Sequence, residues 1–491
     1  MADLTCDVLV VGAGPTGLML ANWLVRLGVD VIVADGKDGP TRESRALGLQ
    51  ARSLEIYDQL GIGELVLAAA HRADAVAPGF LDRSFGRLAL GALGQGLTPY
   101  PYLEILEQSR NEEILYENLQ KLGGEVRWRN TVTGLTRTAY GVEAAVGYDT
   151  VRARFCVGCD GAGSMVRKAR RIDFAGITNP NRFYVLDAVA AGGLVENAIN
   201  VRPGTDDFLI AFPMKGAGNW RFIGLVDDED GDGELTEKDV RPRIHRFGIT
   251  YREARWFATY KVHHRIAAVF RDGPFFLAGD AAHVHSPIGG QGMNTGLQDA
   301  HNLAFKLADV LHQGSRKDDW LDRYEAERRP VAEHLVATTD RLFGRITSQT
   351  KMARVLRRTV FPLLAPAVVR ALPGSACGSR LFQYVSQIRI RYPMTPGAEP
   401  AGGYRDPLVG RRLPWTGDNF GVLRCLRWQI HVYGGVTAAE IPDVGVAVHV
   451  FPAAPQTPLR PGRLYLVRPD GFVAAESTPT DAVRAFPPLM A

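Results

Sequence analysis

The sequence has few cysteines, no long apolar run and no block of like charges. Its five cysteines are an odd number for a disulfide framework. The longest apolar stretches, such as Val360–Val369, contain prolines and end well short of the ~20 residues that a membrane span needs. The absence of five consecutive like charges argues against a nucleic-acid partner, and residues 1–17 lack the basic start of a signal peptide. We therefore expect a cytoplasmic protein that binds neither nucleic acid nor membrane.

What the sequence does contain is enough apolar chain for a large core. Hydrophobic residues make up 46% of the 491 positions and charged residues 22%, a composition typical of globular rather than disordered proteins. The formal net charge of +4 is small for this length. At about 150 residues per domain, the length predicts about three domains.

A strand, a glycine-rich turn, a helix and a second strand open the chain. The β-branched run Asp7–Val11 predicts a strand buried on both faces, and a helix predicted over Leu18–Leu27 leads to the strand Val29–Ala34. Residues 12–17 read G-A-G-P-T-G, and these glycines allow a tight turn, close approach of a pyrophosphate and close packing of helix and strand. Asp35 can accept hydrogen bonds from ribose hydroxyls. We infer a site for the ADP half of a dinucleotide.

Further glycine-rich motifs follow two later strands. Residues 159–167 read C-D-G-A-G-S-M-V-R directly after the predicted strand Arg152–Val157. Residues 279–296 begin with G-D-A-A-H after the strand Phe275–Ala278 and end with G-G-Q-G-M-N-T-G. Through these spaced motifs, the sequence resembles the single-component FAD-dependent aromatic hydroxylases (class A flavoprotein monooxygenases) over Asp7–Val331. The resemblance is greatest to the phenol-hydroxylase-like branch that includes polyketide hydroxylases.

The resemblance implies an α/β fold of the para-hydroxybenzoate hydroxylase type. A Rossmann-like FAD-binding domain would comprise residues 1–171 and 271–343, interrupted at 172–270 by a mixed β-sheet domain that binds substrate. Residues 344–392 would form a helical linker region. Residues 393–491 would form a small C-terminal α/β domain that resembles thioredoxin but lacks its C-x-x-C motif.

The motifs of this family hold FAD without a covalent bond. The glycine motif and the resemblance together assign cofactor binding to Gly12, Gly14, Pro15, Thr16, Gly17, Asp35, Gly36, Arg45, Ala46, Gln108, Val132, Asp160, Gly161, Gly279, Asp280, Pro287, Gly290, Gly292, Met293 and Asn294. The resemblance implies that Asp280 lies at the ribityl chain and the Asp160–Gly161 pair at the pyrophosphate. The dipole of a helix that starts near Gly292 would stabilise the negative charge of the reduced flavin.

The resemblance also implies a reaction. NADH or NADPH reduces the flavin, O₂ forms a flavin C4a-hydroperoxide, and the distal oxygen attacks an electron-rich aromatic ring. The sequence has no second G-x-G-x-x-G after a strand, which is consistent with a nicotinamide cofactor that binds only transiently. Epoxidation, Baeyer–Villiger oxidation and oxidase chemistry are alternatives, and a non-catalytic flavin sensor is a less favoured one.

Candidate catalytic residues are few. The resemblance places Arg45 at the flavin ring, where it would link flavin movement to nicotinamide access. Tyr260 aligns with a tyrosine that faces the substrate in phenol hydroxylases, although a structural tyrosine is an equal alternative. His263 is a second candidate base. Leu47 stands where phenol hydroxylases carry an aspartate, so we expect a polycyclic, polyketide-like phenol rather than a simple one.

The substrate is expected between the FAD-binding domain and the β-rich domain. The apolar, aromatic runs Phe208–Met214 and Trp220–Leu225 predict a pocket for a hydrophobic ring system. Nothing in the sequence decides between a monomer and a homodimer.

Other candidate sites are weaker. Cys156 and Cys159 have C-x-x-C spacing, but they end a buried strand, which favours small structural residues over a redox pair. His283 and His285 have no carboxylate or thiolate at a ligand-like spacing, so we expect no metal.

Overall fold

The protein is described by a computed structural model over residues 2–42, 46–205, 207–226, 235–285, 290–313, 317–347, 356–394 and 408–486. Arg45, Pro287 and the acidic residues at 227–232 lie outside these ranges. β-Sheets with helices packed against them make up each part of the architecture.

The first sheet is parallel at its centre. Asp3–Val11 pairs in parallel with Asp149–Gly158 on one side and with Val31–Ala34 on the other. Residues 8–11 are at most 5% exposed, as expected for a strand covered on both faces. The strands of this sheet are Asp3–Val11, Val31–Ala34, Val126–Arg127, Val132–Thr138, Gly141–Val146, Asp149–Gly158, Arg271–Asp272 and Phe275–Leu277.

Three long helices pack together beside this sheet. Pro15–Arg26 contacts both Gln108–Lys121 and Gly292–Gln313. The first of these helices begins earlier than the predicted Leu18, because Pro15 occupies a first-turn position where proline's fixed φ suits a helix. The other α-helices are Ala51–Leu60, Gly63–Ala69, Leu90–Gly94, Met165–Ala169, Glu237–Arg246, Lys317–Thr347, Phe361–Ala371, Ala376–Val385 and Ala482–Ala485.

The second sheet is mostly antiparallel, and its longest strands are Phe174–Gly192 and Thr250–Ala267. One face, which includes Tyr184 and Phe222, packs under the helix Glu237–Arg246. Its strands are Ala75–Phe80, Arg83–Ser84, Leu88–Ala89, Phe174–Gly192, Ala198–Pro203, Phe208–Pro213, Asn219–Val226, Thr250–Ala267 and His283–Val284. Segments far apart in the chain, at 75–89 and 283–284, therefore complete the sheet that residues 174–267 begin.

Smaller sheets complete the fold. Gly48–Leu49, Leu103–Ile105 and His71–Ala73 form a short antiparallel sheet. The C-terminal sheet has the order Ala447–Phe451, Gln429–Tyr433, Leu464–Val467 and Val473–Ser477. Short 3₁₀ helices lie at Gly279–Ala281, Gly421–Cys425 and Ala438–Glu440, and a π-helical turn lies at Leu356–Val360.

A buried ionic cluster joins the C-terminal sheet to the long helices. Arg468 donates hydrogen bonds to both carboxylate oxygens of Glu327 at 2.7 and 3.0 Å and, through Nε, to Asp470 Oδ1 at 3.0 Å. Lys306 Nζ donates to Glu327 Oε2 at 2.8 Å. We call Lys306, Glu327, Arg468 and Asp470 the junction cluster. Burial alone would raise the pKa of Glu327, but Arg468 and Lys306 outweigh it and lower that pKa.

Candidate functional site

A cavity of about 1060 Å³ lies between the carboxyl edge of the first sheet and one face of the second. A crevice at this edge is where open α/β sheets bind ligands. The turn at 12–17 lines one end, and the side chains of Ile210, Phe212 and Ile223 line the other. The cavity therefore has a polar end, built on the first sheet, and an apolar end, built on the second.

The first turn presents backbone donors to the polar end. A Cβ atom on Gly17 would lie 1.9 Å from the carbonyl oxygen of Gly12, so only glycine permits this packing of strand and helix. Within the described residues, the N–H groups of Gly14, Thr16 and Gly17 have no hydrogen-bond partner. Free N–H groups at the start of a helix form a site for anions such as a pyrophosphate.

Asp35 fixes this turn and lines the cavity. Its Oδ2 accepts from the N–H of Ala13 at 2.7 Å, and its Oδ1 accepts from the N–H of Lys37 at 2.8 Å. A carboxylate has about four acceptor positions, so hydrogen bonds from ribose hydroxyls are compatible with both contacts. The neighbouring predicted residues Gly36 and Val132 also line the cavity.

Sequence reasoning missed Glu112. This carboxylate is 1% exposed, lines the cavity, and accepts from Gln108 Nε2 at 2.9 Å and from the N–H of Thr41 at 2.7 Å. Lys37 Nζ lies 3.4 Å from its Oε2. The available signal was the spacing of Gln108 and Glu112, which puts both on one helix face. Glu112 holds the predicted residue Gln108 at the cavity wall.

Asp160 provides a test of whether this end fits a dinucleotide. Its Oδ2 accepts from the N–H groups of Met165 and Val166 at 2.6 and 3.2 Å. Its Oδ1 is buried and has no hydrogen-bond partner among the described residues. A buried polar atom of this kind normally has a partner, so it indicates a missing ligand or water. Together with the free N–H groups of the first turn and the adjacent Gly161, it fits FAD.

The G-D-A-A-H motif forms a 3₁₀ turn beside the first turn. Gly279 has φ +60°, and a Cβ atom there would lie 2.5 Å from Thr16 Oγ1. Asp280 is exposed and lines the cavity, as a ligand to a ribityl chain would. Gly279 itself lies behind the cavity wall, where its N–H donates to Asp299 at 3.1 Å. His283 Nε2 lies 2.7 Å from the same Asp299 carboxylate.

Asp299 carries a charge in the core beneath this motif. Burial alone would raise its pKa, but Arg328, at 2.7 Å, and His283 outweigh burial and lower that pKa. His283 therefore has a structural partner within the described residues. No group of three or more His, Cys, Asp or Glu side chains in the described ranges could hold a metal ion.

The start of the helix Gly292–Gln313 reaches the cavity through some of the predicted residues. Gly290, Gly292 and Met293 line it. Asn294 is fully buried, and its amide instead accepts from the N–H of Gln50 and donates to the carbonyls of Gly48 and Gly290. The structure thus places Asn294 as a brace between two loops of the cavity wall.

Cys156 and Cys159 are buried free cysteines. Burial raises the pKa of both thiols far above the ordinary value. A thiol held in its neutral form is a poor nucleophile, so this geometry agrees with a packing role.

The apolar end comes from alternate residues of the second sheet and from unexpected segments. Within the two predicted runs, Ile210, Phe212 and Ile223 line the cavity, whereas Trp220 and Phe222 pack on the opposite face. Sequence reasoning missed many other aliphatic and aromatic lining residues, including Val76, Leu88, Leu90, Leu93, Tyr102, Leu103, Ile199, Val201, Val262, Leu381, Phe382 and Val385.

The candidate bases both stand on the strand Thr250–Ala267 of the second sheet. Tyr260 and His263 both line the cavity. The ring of Tyr260 stacks on Phe183 with centroids 5.6 Å apart, and His263 Nδ1 lies 2.9 Å from Thr178 Oγ1. Leu47 also lines the cavity, at a position where a carboxylate would have supplied a base. Ala46, the residue before Leu47, lines it as well.

Comparisons with known proteins agree with this geometry. The FAD binding domain family matches residues 5–339. The chain is 33% identical to a 12-dehydrotetracycline 5-monooxygenase/anhydrotetracycline 6-monooxygenase of Streptomyces rimosus, over 99% of each chain. The structure of an anhydrotetracycline hydroxylase from Streptomyces rimosus has a TM-score of 0.76 at 31% identity, covering 98% of both chains. An aromatic hydroxylase from angucycline biosynthesis has a TM-score of 0.74 at 29% identity, covering 96% of both.

The family match spans all three glycine-rich motifs and the second sheet, so it covers each wall of the cavity except the one formed by residues 381–386. The full-length likeness to hydroxylases favours hydroxylation over the alternative flavin reactions. This chain belongs to the FAD binding domain family and is an FAD-dependent monooxygenase of the aromatic hydroxylase type.

Proposed function

We propose that the protein uses NADH or NADPH and O₂ to hydroxylate a phenolic, polycyclic substrate of the polyketide kind. The observation that carries this proposal is the continuity of the cavity from the dinucleotide turn to the apolar face of the second sheet. Relatives named for tetracycline-type compounds support the substrate class.

The polar end would hold FAD. Backbone N–H groups of the first turn would bind the pyrophosphate, Asp35 a ribose, and Asp280 the ribityl chain. FAD, when bound, supplies the redox chemistry that side chains cannot perform. The start of the helix at Gly292 would place a positive dipole end by the flavin ring.

The apolar end would bind and orient the ring system. Its aliphatic and aromatic lining excludes water, which strengthens each polar contact left in the site. Tyr260 or His263 would orient the phenol hydroxyl by a hydrogen bond. Of the two, the imidazole of His263 has a nitrogen that can receive the proton, because Leu47 supplies no carboxylate. Arg45, outside the described residues, stays a prediction.

We also propose the domain division 1–171 with 271–343, 172–270, 344–392 and 393–491, with a thioredoxin-like last domain. The C-terminal sheet supports the resemblance to thioredoxin because it is a mixed sheet. Gln429–Tyr433 pairs in parallel with Ala447–Phe451 and antiparallel with Leu464–Val467. The connection at 434–446 contains the short 3₁₀ turn Ala438–Glu440 where such a crossover commonly has a helix.

The test is consumption of NADH and NADPH by the purified holoprotein with a panel of mono- and polycyclic phenols. We expect polycyclic phenols to accelerate consumption and to yield a product that is heavier by one oxygen atom, labelled when ¹⁸O₂ is supplied. Bound flavin with consumption that no phenol changes would instead indicate a sensor. Product oxygen that comes from water would overturn the monooxygenase assignment.

A further inference from the structure

The region between residues 341 and 398 is basic throughout. It contains ten lysines and arginines and no aspartate or glutamate, whereas the whole chain has a net charge of only +4. The rest of the protein is therefore acidic overall. Such a segregation of charge indicates an anionic partner for this region.

An apolar stripe lies on the outer face of this region. On the helix Phe361–Ala371, Leu363, Leu364 and Val368 are 78, 58 and 51% exposed. Val360, one turn earlier, is 38% exposed. The inner face is anchored, since Val369 packs into a core cluster of the protein body. We call Val360, Leu363, Leu364 and Val368 the outer stripe. Contiguous exposed apolar residues of this kind mark an interaction surface.

Arginines flank the outer stripe. Arg358 and Arg370 are exposed at its two ends, and Arg380 is exposed on the next helix, Ala376–Val385. Within the described residues these three guanidinium groups form no ion pair. The surface thus combines projecting aliphatic side chains with charges that the protein itself leaves uncompensated.

The helices of this surface do not form an ordinary span. In the described part of the chain, no helix alone has the length and apolar character to cross a membrane. The segments Arg358–Ala371 and Ala376–Val385 satisfy that test only as a pair, which is bent by 96°. Because Val369 and Phe382 are buried against the body, only the outer face of the pair is available.

We propose that the outer stripe and its flanking arginines dock on an anionic lipid surface. Leucine and valine side chains would enter the acyl boundary while Arg358 and Arg370 contact headgroup phosphates. A second copy of the chain fits poorly, because a symmetric contact would place the same arginines against each other. A protein groove of acidic character is the other candidate occupant, and the test separates it from lipid.

The helix that follows the outer stripe supplies one wall of the cavity. Leu381 is 43% exposed and also lines the cavity, as do Phe382 and Val385 on the same helix. Docking would bring this wall to a lipid surface into which apolar ring systems partition. The value of docking for collecting an apolar substrate from the lipid rests on the proposed function, whereas the docking itself does not.

The test is co-sedimentation of the holoenzyme with vesicles of phosphatidylcholine alone or mixed equally with phosphatidylglycerol. We expect binding to the mixed vesicles only, and weaker binding as salt is added. Leu363→Ser with Leu364→Ser should weaken binding at least about tenfold. Arg358→Gln with Arg370→Gln should also weaken it.

Matched controls remove equivalent groups elsewhere. Leu65→Ser with Val483→Ser removes exposed apolar side chains, and Arg110→Gln with Arg152→Gln removes exposed charges. Both controls should bind as the unchanged protein does. Equal binding by the serine variant of the stripe and its control would overturn the proposal.

Other outcomes would assign the surface differently. Failure to bind mixed vesicles overturns the proposal outright. If that failure accompanies a dimer that the stripe variant dissociates in light scattering, the stripe joins two copies. If it accompanies salt-sensitive binding to polyglutamate beads, the partner is an acidic protein. Hydroxylation in vesicle-free buffer tests the proposed function separately, since stripe variants should retain it.

Discussion

The polar end of the cavity and the junction cluster both hold charged side chains away from solvent, but they differ in how their hydrogen bonds are completed. In the junction cluster, each oxygen of Glu327 accepts from two or more donors. In the cavity, Asp160 Oδ1 and the N–H groups of Gly14, Thr16 and Gly17 have no partner among the described residues. Complete pairing indicates a structural role, and incomplete pairing at a cavity wall indicates a ligand site.

The largest effect is expected from Glu327→Gln. The amide has nearly the same shape, but it removes the carboxylate that Lys306 contacts at 2.8 Å and leaves Arg468 with Asp470 as its remaining carboxylate partner in the cluster. We expect the free energy of unfolding to fall by about 3–5 kcal/mol, measured by urea denaturation of the holoprotein. Glu333→Gln, in an exposed pair with Arg329 at 3.0 Å, is the control and should change it by less than about 1 kcal/mol. Equal losses of free energy of unfolding in the two variants would contradict the view that the buried junction cluster stabilises the fold more than an exposed ion pair does.

The cavity should respond in ligand affinity rather than in stability. Asp280→Ala removes a carboxylate that the fold leaves exposed at the cavity wall. We expect FAD to dissociate about ten- to hundredfold more readily, measured by flavin fluorescence titration. Glu253→Ala, an exposed carboxylate on the second sheet, is the charge-matched control. Unchanged FAD affinity in Asp280→Ala would contradict the assigned ribityl contact.

Asp309 is a largely buried carboxyl group outside the junction cluster, and its pKa shifts in the direction opposite to that of Glu327. Burial raises its pKa to about 6, although Lys306 opposes the shift. The unfolded chain loses this proton near pH 4. Between pH 4 and pH 6 the unfolded chain has released this proton while the folded chain still holds it. Ionisation of Asp309 therefore favours the unfolded chain, and the free energy of unfolding falls as the pH rises through this range.

Asp309→Asn should accordingly match the unchanged protein in acid. At pH 8 it should have a free energy of unfolding higher by about 2–3 kcal/mol, since about two pKa units separate the folded and unfolded states. Urea denaturation at the two pH values measures this difference. A difference independent of pH would show that the substitution acts through packing and not through ionisation.

The smallest effect is expected from Asp160→Asn. The amide oxygen can still accept from Met165 N–H, and the atom that replaces Oδ1 occupies a position that was already unpaired. We expect the free energy of unfolding of the flavin-free protein to change by less than about 1 kcal/mol. A loss of free energy of unfolding as large as that of Glu327→Gln would show that the polar end of the cavity stabilises the fold as strongly as the junction cluster does.

Local patterns predicted the parts of the fold that depend on short segments. The opening strand, the glycine turn and the following helix can be read from β-branched residues, glycine spacing and proline because their geometry is set within a few residues. The sequence predicted which runs of the second sheet reach the cavity, but not which alternate residues of each run face it. Asn294 was recognised within its motif but placed on the cavity wall instead of behind it.

Contacts between distant segments could not be predicted. Nothing local in residues 75–80 indicates pairing with Ala198–Pro203, and nothing in residues 376–385 indicates a cavity wall. The turn at Arg468 is recognisable as a turn, but its insertion against Glu327 depends on tertiary packing. Such contacts depend on how distant segments pack in the assembled core, and no short stretch of sequence contains that information.

The helix Ala376–Val385 lies beyond residue 339, where the family match ends, yet it supplies Leu381, Phe382 and Val385 to the cavity. Divergence of this one helix can therefore resize the space for a ring system while the coenzyme-binding motifs stay intact. Exchanging this helix for the equivalent one of a relative would change the lining of the apolar end and leave every coenzyme-binding motif in place.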